Sequence, residues 1–334
     1  MLTKISLIPE QFQILPLELY SNEYFTITSS RFNSGIEALT IKNSRGFITV
    51  LPYYGQMVWD AEFDGLTLKM DNMFNQPQYG TDITDTYGCF AFHSGLLSNG
   101  CPSSDDDHIM HGEMACAKLS KAWIEVQDSS LSICGEVEFI KGFGAHYVAR
   151  PSVTLTANSA TFDIKMQVTN LSGFEMPLQY MCHMNYAYID NATLEQNIPD
   201  NAFMLRKTIP SHVHPTEQWL DYTKKLTNLT VLNEPHYYDP EIVFLVDDLS
   251  QYTDAAEFYM TLPNGKRFVT RFSTKQFNHG TRWILNNKDQ KVAAFILPAT
   301  CRPEGFLAAK NNGTLIMLKS GETKSFLVTT GIDK

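Results

Sequence analysis

Histidines, acids and aromatic residues concentrate in three segments, residues 92–113 (FHSGLLSNGCPSSDDDHIMHGE), 179–190 (QYMCHMNYAYID) and 281–305 (TRWILNNKDQKVAAFILPATCRPEG). A histidine is the side chain best suited to exchanging a proton near neutral pH, because its unperturbed pKa is about 6.5. His183 is therefore a candidate acid or base. On an alternating strand it shares a face with Asn185, with Tyr186 beside them, which makes a polar face with an aromatic flank. The competing reading is a core histidine satisfied by a backbone carbonyl. Asp105-Asp106-Asp107-His108, with His111 and Glu113, has the density of a metal site but not its spacing. His108 and His111 would share a helix face, yet no helical pattern surrounds them, and on a strand they would oppose each other. No cysteine or third histidine stands at ligand spacing. No metal is expected, and the aspartates read as a solvated turn. His111-Gly112 is more telling, since a glycine after a histidine lets a ligand or another strand approach the backbone closely. A neutral sugar needs such hydrogen-bonding groups beside a flat apolar platform, for which Trp283, Tyr186, Trp59 and Trp219 are the candidates.

Segments this far apart meet only if their strands share a sheet face. The clearest periodicity is two: Phe162, Ile164, Met166 and Val168 alternate with Thr161, Asp163, Lys165 and Gln167. Leu131 to Phe139 repeats the pattern, and Phe258–Leu262 and Phe268–Phe272 flank the turn Pro263-Asn264-Gly265 as hairpin arms. Asp64-Gly65 and Ser320-Gly321 predict two further tight turns, the second joining residues 315–318 to 324–330. No window of 15 or more residues keeps an apolar helical stripe, so helices are expected to be few and short. The expected fold is all-β, a large antiparallel β-sandwich. With no linker and no shift in composition, residues 1–334 read as one domain, with residues 1–22 as an N-terminal extension packed outside.

The 334 residues are 43% hydrophobic and 12% aromatic, enough for a sizeable core, and the formal net charge of −10 argues against a phosphate-neutralising surface. Nucleic acid is not an expected partner. Pro9, Glu10, Gln11, Gln13 and Pro16 break every candidate leader stretch, and no run of 18 apolar residues follows, so neither a secretory signal nor a membrane partner is expected. A cytosolic location is, with the six scattered cysteines as reduced thiols. The chain is expected to be a monomer or homodimer.

The order of these features resembles the aldose 1-epimerase (galactose mutarotase-like) superfamily, and more narrowly a bacterial aldose 1-epimerase-related branch. The resemblance rests on Gly55-Gln56-Met57 through Asp64-Gly65, Gly95-Leu96-Leu97 leading to His111-Gly112, Val168-Thr169-Asn170 before His183-Met184-Asn185, Trp283, Pro298-Ala299-Thr300, and Leu318 to Glu322. It covers about residues 40 to 332. It implies a supersandwich fold with a small-molecule sugar on its concave face and α and β anomers interconverted without a cofactor. A base takes the anomeric hydroxyl proton, an acid protonates the ring oxygen, and the opened ring closes on its other face. The resemblance makes His183 the general acid and His111 the histidine that holds the sugar near its ring oxygen. It also places Trp283 and His93 in binding positions. The family's basic glutamate, however, falls at Leu297. Glu304 is the expected substitute, with Arg302 holding the sugar or orienting the carboxylate, and Glu113 is an alternative. A non-catalytic sugar-binding protein, or another sugar isomerase or lyase on the same scaffold, are the other readings.

Overall fold

A computed structural model describes residues 2–333. In the strand Thr161–Asn170 the alternation expected from sequence is the burial pattern found: Phe162, Ile164, Met166 and Val168 are buried, while the residues between them are not. One face meets the core and one meets water. This strand lies in a nine-stranded antiparallel sheet, ordered Thr3–Ser6, Lys121–Val126, Ser130–Ile140, His146–Thr156, Thr161–Asn170, Thr323–Asp333, Arg267–Ser273, Ala255–Thr261 and Thr193–Gln196. A thirteen-stranded sheet packs against it. Its central run is Ile242–Val246, His279–Asn286, Lys291–Ala299, Met176–Met184 and Ala91–Leu96, continuing through Val58–Phe63 toward Leu17–Ser21 at the far edge. The sheets meet through contacts such as the stacked rings of Phe63 and Phe162, with centroids 5.9 Å apart. Among the described residues only Glu217–Thr223 and Phe306–Asn311 are α-helical, and no helix is long and apolar enough to cross a membrane.

The central strands of the larger sheet break the alternation in an informative way. All six residues of Ala91–Leu96, and every residue of Lys291–Ala299 after the first, are buried. One face packs on the smaller sheet, so burial of the other means that something covers it. The cover consists of loops around residues 73–87, 101–111, 206–213 and 239–241, and between loops and sheet is a cavity.

Two expectations resolve differently. Residues 2–22 supply edge strands to both sheets, Thr3–Ser6 on the smaller and Leu17–Ser21 on the larger. Ser320-Gly321 is a turn, with Gly321 at φ 75°, but the strands beside it are not hairpin arms. Ile316–Leu318 pairs with Met176–Leu178 in the larger sheet, whereas Thr323–Asp333 pairs with Thr161–Thr169 and Arg267–Phe272 in the smaller. Both arms carry apolar residues, and local pattern does not reveal which sheet receives them.

Candidate active site

The floor of the cavity follows from strand register. His183 lies opposite Phe92 and Met181 opposite Ser94; Thr281 pairs with Leu297, and Trp283 with Val243. Side chains two apart along a strand share a face, so Val243, Thr281, Trp283, Leu297, Met181 and His183 form one continuous surface. The cavity above it has a volume of about 420 Å³, within the range of small-molecule pockets. Tyr87, His111, Arg206 and Glu241 are among the residues of its walls.

His183 sits in an aromatic clamp. Its ring stacks on Phe92 with centroids 4.5 Å apart and planes 15° apart, and the rings of His111 and Trp283 stand nearly edge-on at 4.9 and 5.8 Å. The Tyr87 hydroxyl lies 3.2 Å from Nε2. Nδ1 points the other way, buried and without a hydrogen-bond partner, as is Asn185 Oδ1. Burial pushes the His183 pKa well below 6.5; His111 acts in the same direction, and the Asn185 side chain opposes it. His183 is therefore neutral at neutral pH.

His111 is held from its backbone outward. It occupies the left-handed region at φ 60°, its N–H donates to Gly100 O at 2.9 Å, and its carbonyl accepts from Gly95 N–H at 2.9 Å. The glycine after it is required: at Gly112, φ 74°, a Cβ would stand 2.2 Å from the Ser98 carbonyl oxygen. Ser94 Oγ donates to Asn99 Oδ1, so it is left to accept from His111 Nδ1, 2.9 Å away. That fixes the ring proton on Nδ1 and leaves Nε2 as an acceptor. Burial brings this pKa down to about 4.

Two acids line the cavity, Asp239, which accepts from Asn287 Nδ2 at 3.4 Å, and Glu241, held in place by two donors; sequence reasoning missed both. Glu241 immediately precedes Ile242–Val246, and the short pairing of Met204–Leu205 with Phe244–Leu245 brings Arg206 alongside. Glu241 Oε1 accepts from Arg206 Nη2, and Oε2 accepts from Trp283 Nε1 at 2.7 Å. The available signal was parity, since Glu241 and Val243 are two apart at the head of a strand buried throughout. Tyr87 was missed too. It closes the 3-10 turn Ile83–Thr86, which is capped by Asp82, and carried no motif of its own.

The cavity thus gathers His111, His183 and Trp283 from the sequence-derived candidates. The others stand elsewhere. His93 is opposite Cys182, one step out of phase with His183, so it faces the sandwich interior; its Nδ1 lies 2.8 Å from Tyr180 Oη, and burial lowers its pKa to about 3. Tyr186 is fully buried, its hydroxyl shared with Val269 O and Thr330 Oγ1, and Asn185 Nδ2 donates to Cys89 O at 3.0 Å. Arg302 is paired with Asp247, and Glu304 accepts from Thr208 Oγ1 at 2.7 Å; neither lines the cavity. Glu113 accepts from the Leu96 and Leu97 N–H groups and the Tyr147 hydroxyl. Asp106 accepts from Leu307 N–H at the start of the second helix, and no group of three or more His, Cys, Asp or Glu side chains is placed to hold a metal among the described residues. Trp59 packs against Phe32. Trp219 donates to the Glu241 carbonyl at 2.8 Å, buttressing the acid from behind. His279 is on a strand and buried, 3.7 Å from Asp247.

A family model described as "Domain of unknown function (DUF4432)" matches residues 33–332. No curated protein matches the sequence. Among solved structures, the chain is similar to a candidate aldose 1-epimerase from Klebsiella pneumoniae subsp. pneumoniae MGH 78578, with a TM-score of 0.79 at 16% identity over 99% of this chain and 91% of that one. It is also similar to a galactose mutarotase-like protein from Clostridium acetobutylicum, with a TM-score of 0.65 at 15% identity over 94% and 100%. A third, a galactose mutarotase-like protein from Lactobacillus casei ATCC 334, gives 0.58 at 14% over 89% and 100%. At these identities the likeness establishes a galactose mutarotase-like fold, the sandwich expected from the period-two pattern.

Proposed function

The chain belongs to the DUF4432 family of domains of unknown function, and we propose that it binds a free aldose in the cavity and interconverts its anomers. The observation that carries this reading is the convergence of two neutral histidines, a tryptophan face and an arginine-held carboxylate on one covered sheet face. Ring opening moves one proton off the anomeric hydroxyl and one onto the ring oxygen, with no redox change, so exchangeable protons at fixed positions suffice. In this reading His183 exchanges the proton, and His111 Nε2 accepts from a sugar hydroxyl. Trp283 offers its ring as the platform, and Glu241 replaces Glu304 as the carboxylate facing the sugar. Its two oxygens are each held by one donor, which leaves lone pairs for sugar hydroxyls.

The test is anomer exchange of free hexoses, pentoses and 6-deoxy sugars, followed by polarimetry or NMR. Acceleration of at least one, abolished in His183→Ala, is the expected result. A second reading, sugar binding without catalysis, draws on Leu297 in the floor and on the arginine that already holds Glu241. Tight binding of a sugar with no acceleration selects it.

A further inference from the structure

His183 has one usable nitrogen. Nδ1 is buried, so any proton that reaches or leaves the ring from a ligand does so at Nε2. Nε2 is already occupied, with the Tyr87 hydroxyl 3.2 Å away. Tyr87 lines the cavity and is wedged in place, its ring edge-on to Phe92 at 5.7 Å, His183 at 5.9 Å and Trp283 at 5.9 Å. Its backbone has little freedom, because Gly88 is packed so closely that a Cβ there would meet Phe74 Cβ at 2.6 Å. A fixed hydroxyl at the cavity wall therefore occupies the imidazole nitrogen on offer to a ligand, beside a floor where Leu297 leaves no carboxylate.

We infer that the Tyr87 hydroxyl is a catalytic group that carries protons between the anomeric centre of a bound aldose and His183 Nε2; this rests on the anomer-interconversion reading. The anomeric hydroxyl gives its proton to Tyr87 Oη while the phenolic proton passes to Nε2. The C1–O1 bond becomes a carbonyl, the C1–O5 bond breaks, and its electron pair goes to O5. O1 and O5 are bonded to the same carbon, so the same hydroxyl returns a proton to O5 and is refilled from the imidazolium. Protons and electrons balance without a further reactant, and closure on the other face of C1 runs the steps in reverse. Burial raises the phenol pKa well above 10, which keeps Tyr87 protonated at rest and ready to act in both directions.

Tyr87→Phe removes one hydroxyl and leaves the ring that forms the wall. On the aldose that the wild type turns over fastest, kcat is expected to fall about 100-fold or more, the scale of a general acid–base group, with the sugar Kd within about twofold. Groups that act as a unit are not additive, so Tyr87→Phe/His183→Ala should be no slower than the slower single variant. A readout independent of turnover is the ¹⁵N resonance of His183 Nε2 in the free protein, which should move when the hydroxyl is lost. A kcat for Tyr87→Phe within about threefold of wild type, an unmoved Nε2 resonance, or a loss of sugar affinity in step with rate each overturns the relay while leaving anomer interconversion intact. A wild type that accelerates no aldose overturns both.

Discussion

Two histidine–tyrosine pairs stand back to back across the paired strands Ala91–Leu96 and Met176–Met184, which carry His93, His183 and Tyr180, while Tyr87 comes from the loop before the first of them. His183 with Tyr87 and His93 with Tyr180 are both hydrogen-bonded at 2.8–3.2 Å, and both carry a buried imidazole with a depressed pKa. Chemically they are near twins. They differ in which face of the sheet they occupy: His183 is opposite Phe92 and His93 opposite Cys182, one residue out of phase, so one pair opens onto a cavity and the other onto the hydrophobic interior. Tyr180 is packed against Phe277 and Phe326 and touches no ligand space. A perturbed pKa therefore marks burial in both places, and access alone separates chemistry from structure.

The sharpest way to break the comparison is to delete each imidazole. His183→Ala is expected to lower anomer exchange about 1,000-fold, within the range for loss of an acid–base group, and to shift the melting temperature by only a few degrees. His93→Ala should do the reverse, leaving activity per folded molecule within about twofold. Its cost is stability, roughly 2–4 kcal/mol, because it opens a void and strands the buried Tyr180 hydroxyl. Exchange NMR and denaturant titration of both variants check the pair of outcomes. Equal activity losses would erase the distinction between the two faces.

Why the two could not be told apart from sequence is a matter of distance along the chain. Alternation within Thr161–Asn170, and the hairpin Ala255–Thr261 with Arg267–Ser273, are local, and both were legible because each strand or turn contains its own evidence. The phase of His93 against His183 depends on pairing residues 91–96 with 179–184, and a one-residue slip would put both on the same face. Tyr186 was placed in the site for the same reason, although it shares the parity of Met184 and points into the core. His111-Gly112 was legible because a backbone at positive φ leaves a residue-type signature. Arg206 and Glu241 were not, since each is an isolated charge at the end of a short strand until the pairing joins them.

The pH dependence of stability tests the burial that both faces share. His93 and His111 have folded pKa values of about 3 and about 4, against about 6.5 unfolded. Between these limits the unfolded chain binds protons that the folded chain does not. Stability is therefore full above about pH 6.5 and falls as pH drops through that window. Each histidine contributes a slope of up to about 1.4 kcal/mol per pH unit. Urea titrations between pH 7 and 4 should show this loss, and His93→Gln should flatten the slope by one proton. An unchanged slope would mean that His93 is not held neutral by the core.

Glu241 sharpens the cavity side. Glu241→Gln keeps the shape and one acceptor but removes the charge held by Arg206 and Trp283. The expected effect is on sugar binding, a Kd raised about tenfold or about 1.4 kcal/mol, with kcat changed less than threefold. Calorimetry against exchange rates separates the two. A collapse of kcat at unchanged Kd would instead make Glu241 the base and would demote the tyrosine–histidine route.

The smallest effect is expected at Glu304, and it is informative because sequence position favoured this residue. Seven residues past Leu297, it could have folded back to supply the missing carboxylate. Its backbone instead bridges to Gly100, and its carboxylate is held by Thr208 with Arg302 nearby, while the neighbouring Pro303 is what reaches the cavity wall. A part-exposed acid in such a network holds loops together and contributes little to stability, in the range of 0–1 kcal/mol for surface pairs. Glu304→Gln should therefore retain anomer exchange within about twofold and keep the same pH profile. If it lost activity by orders of magnitude, the loop carrying Arg302 and Glu304 would have to swing inward when sugar binds. The base would then come from the rim, and the floor would lose its claim to the chemistry.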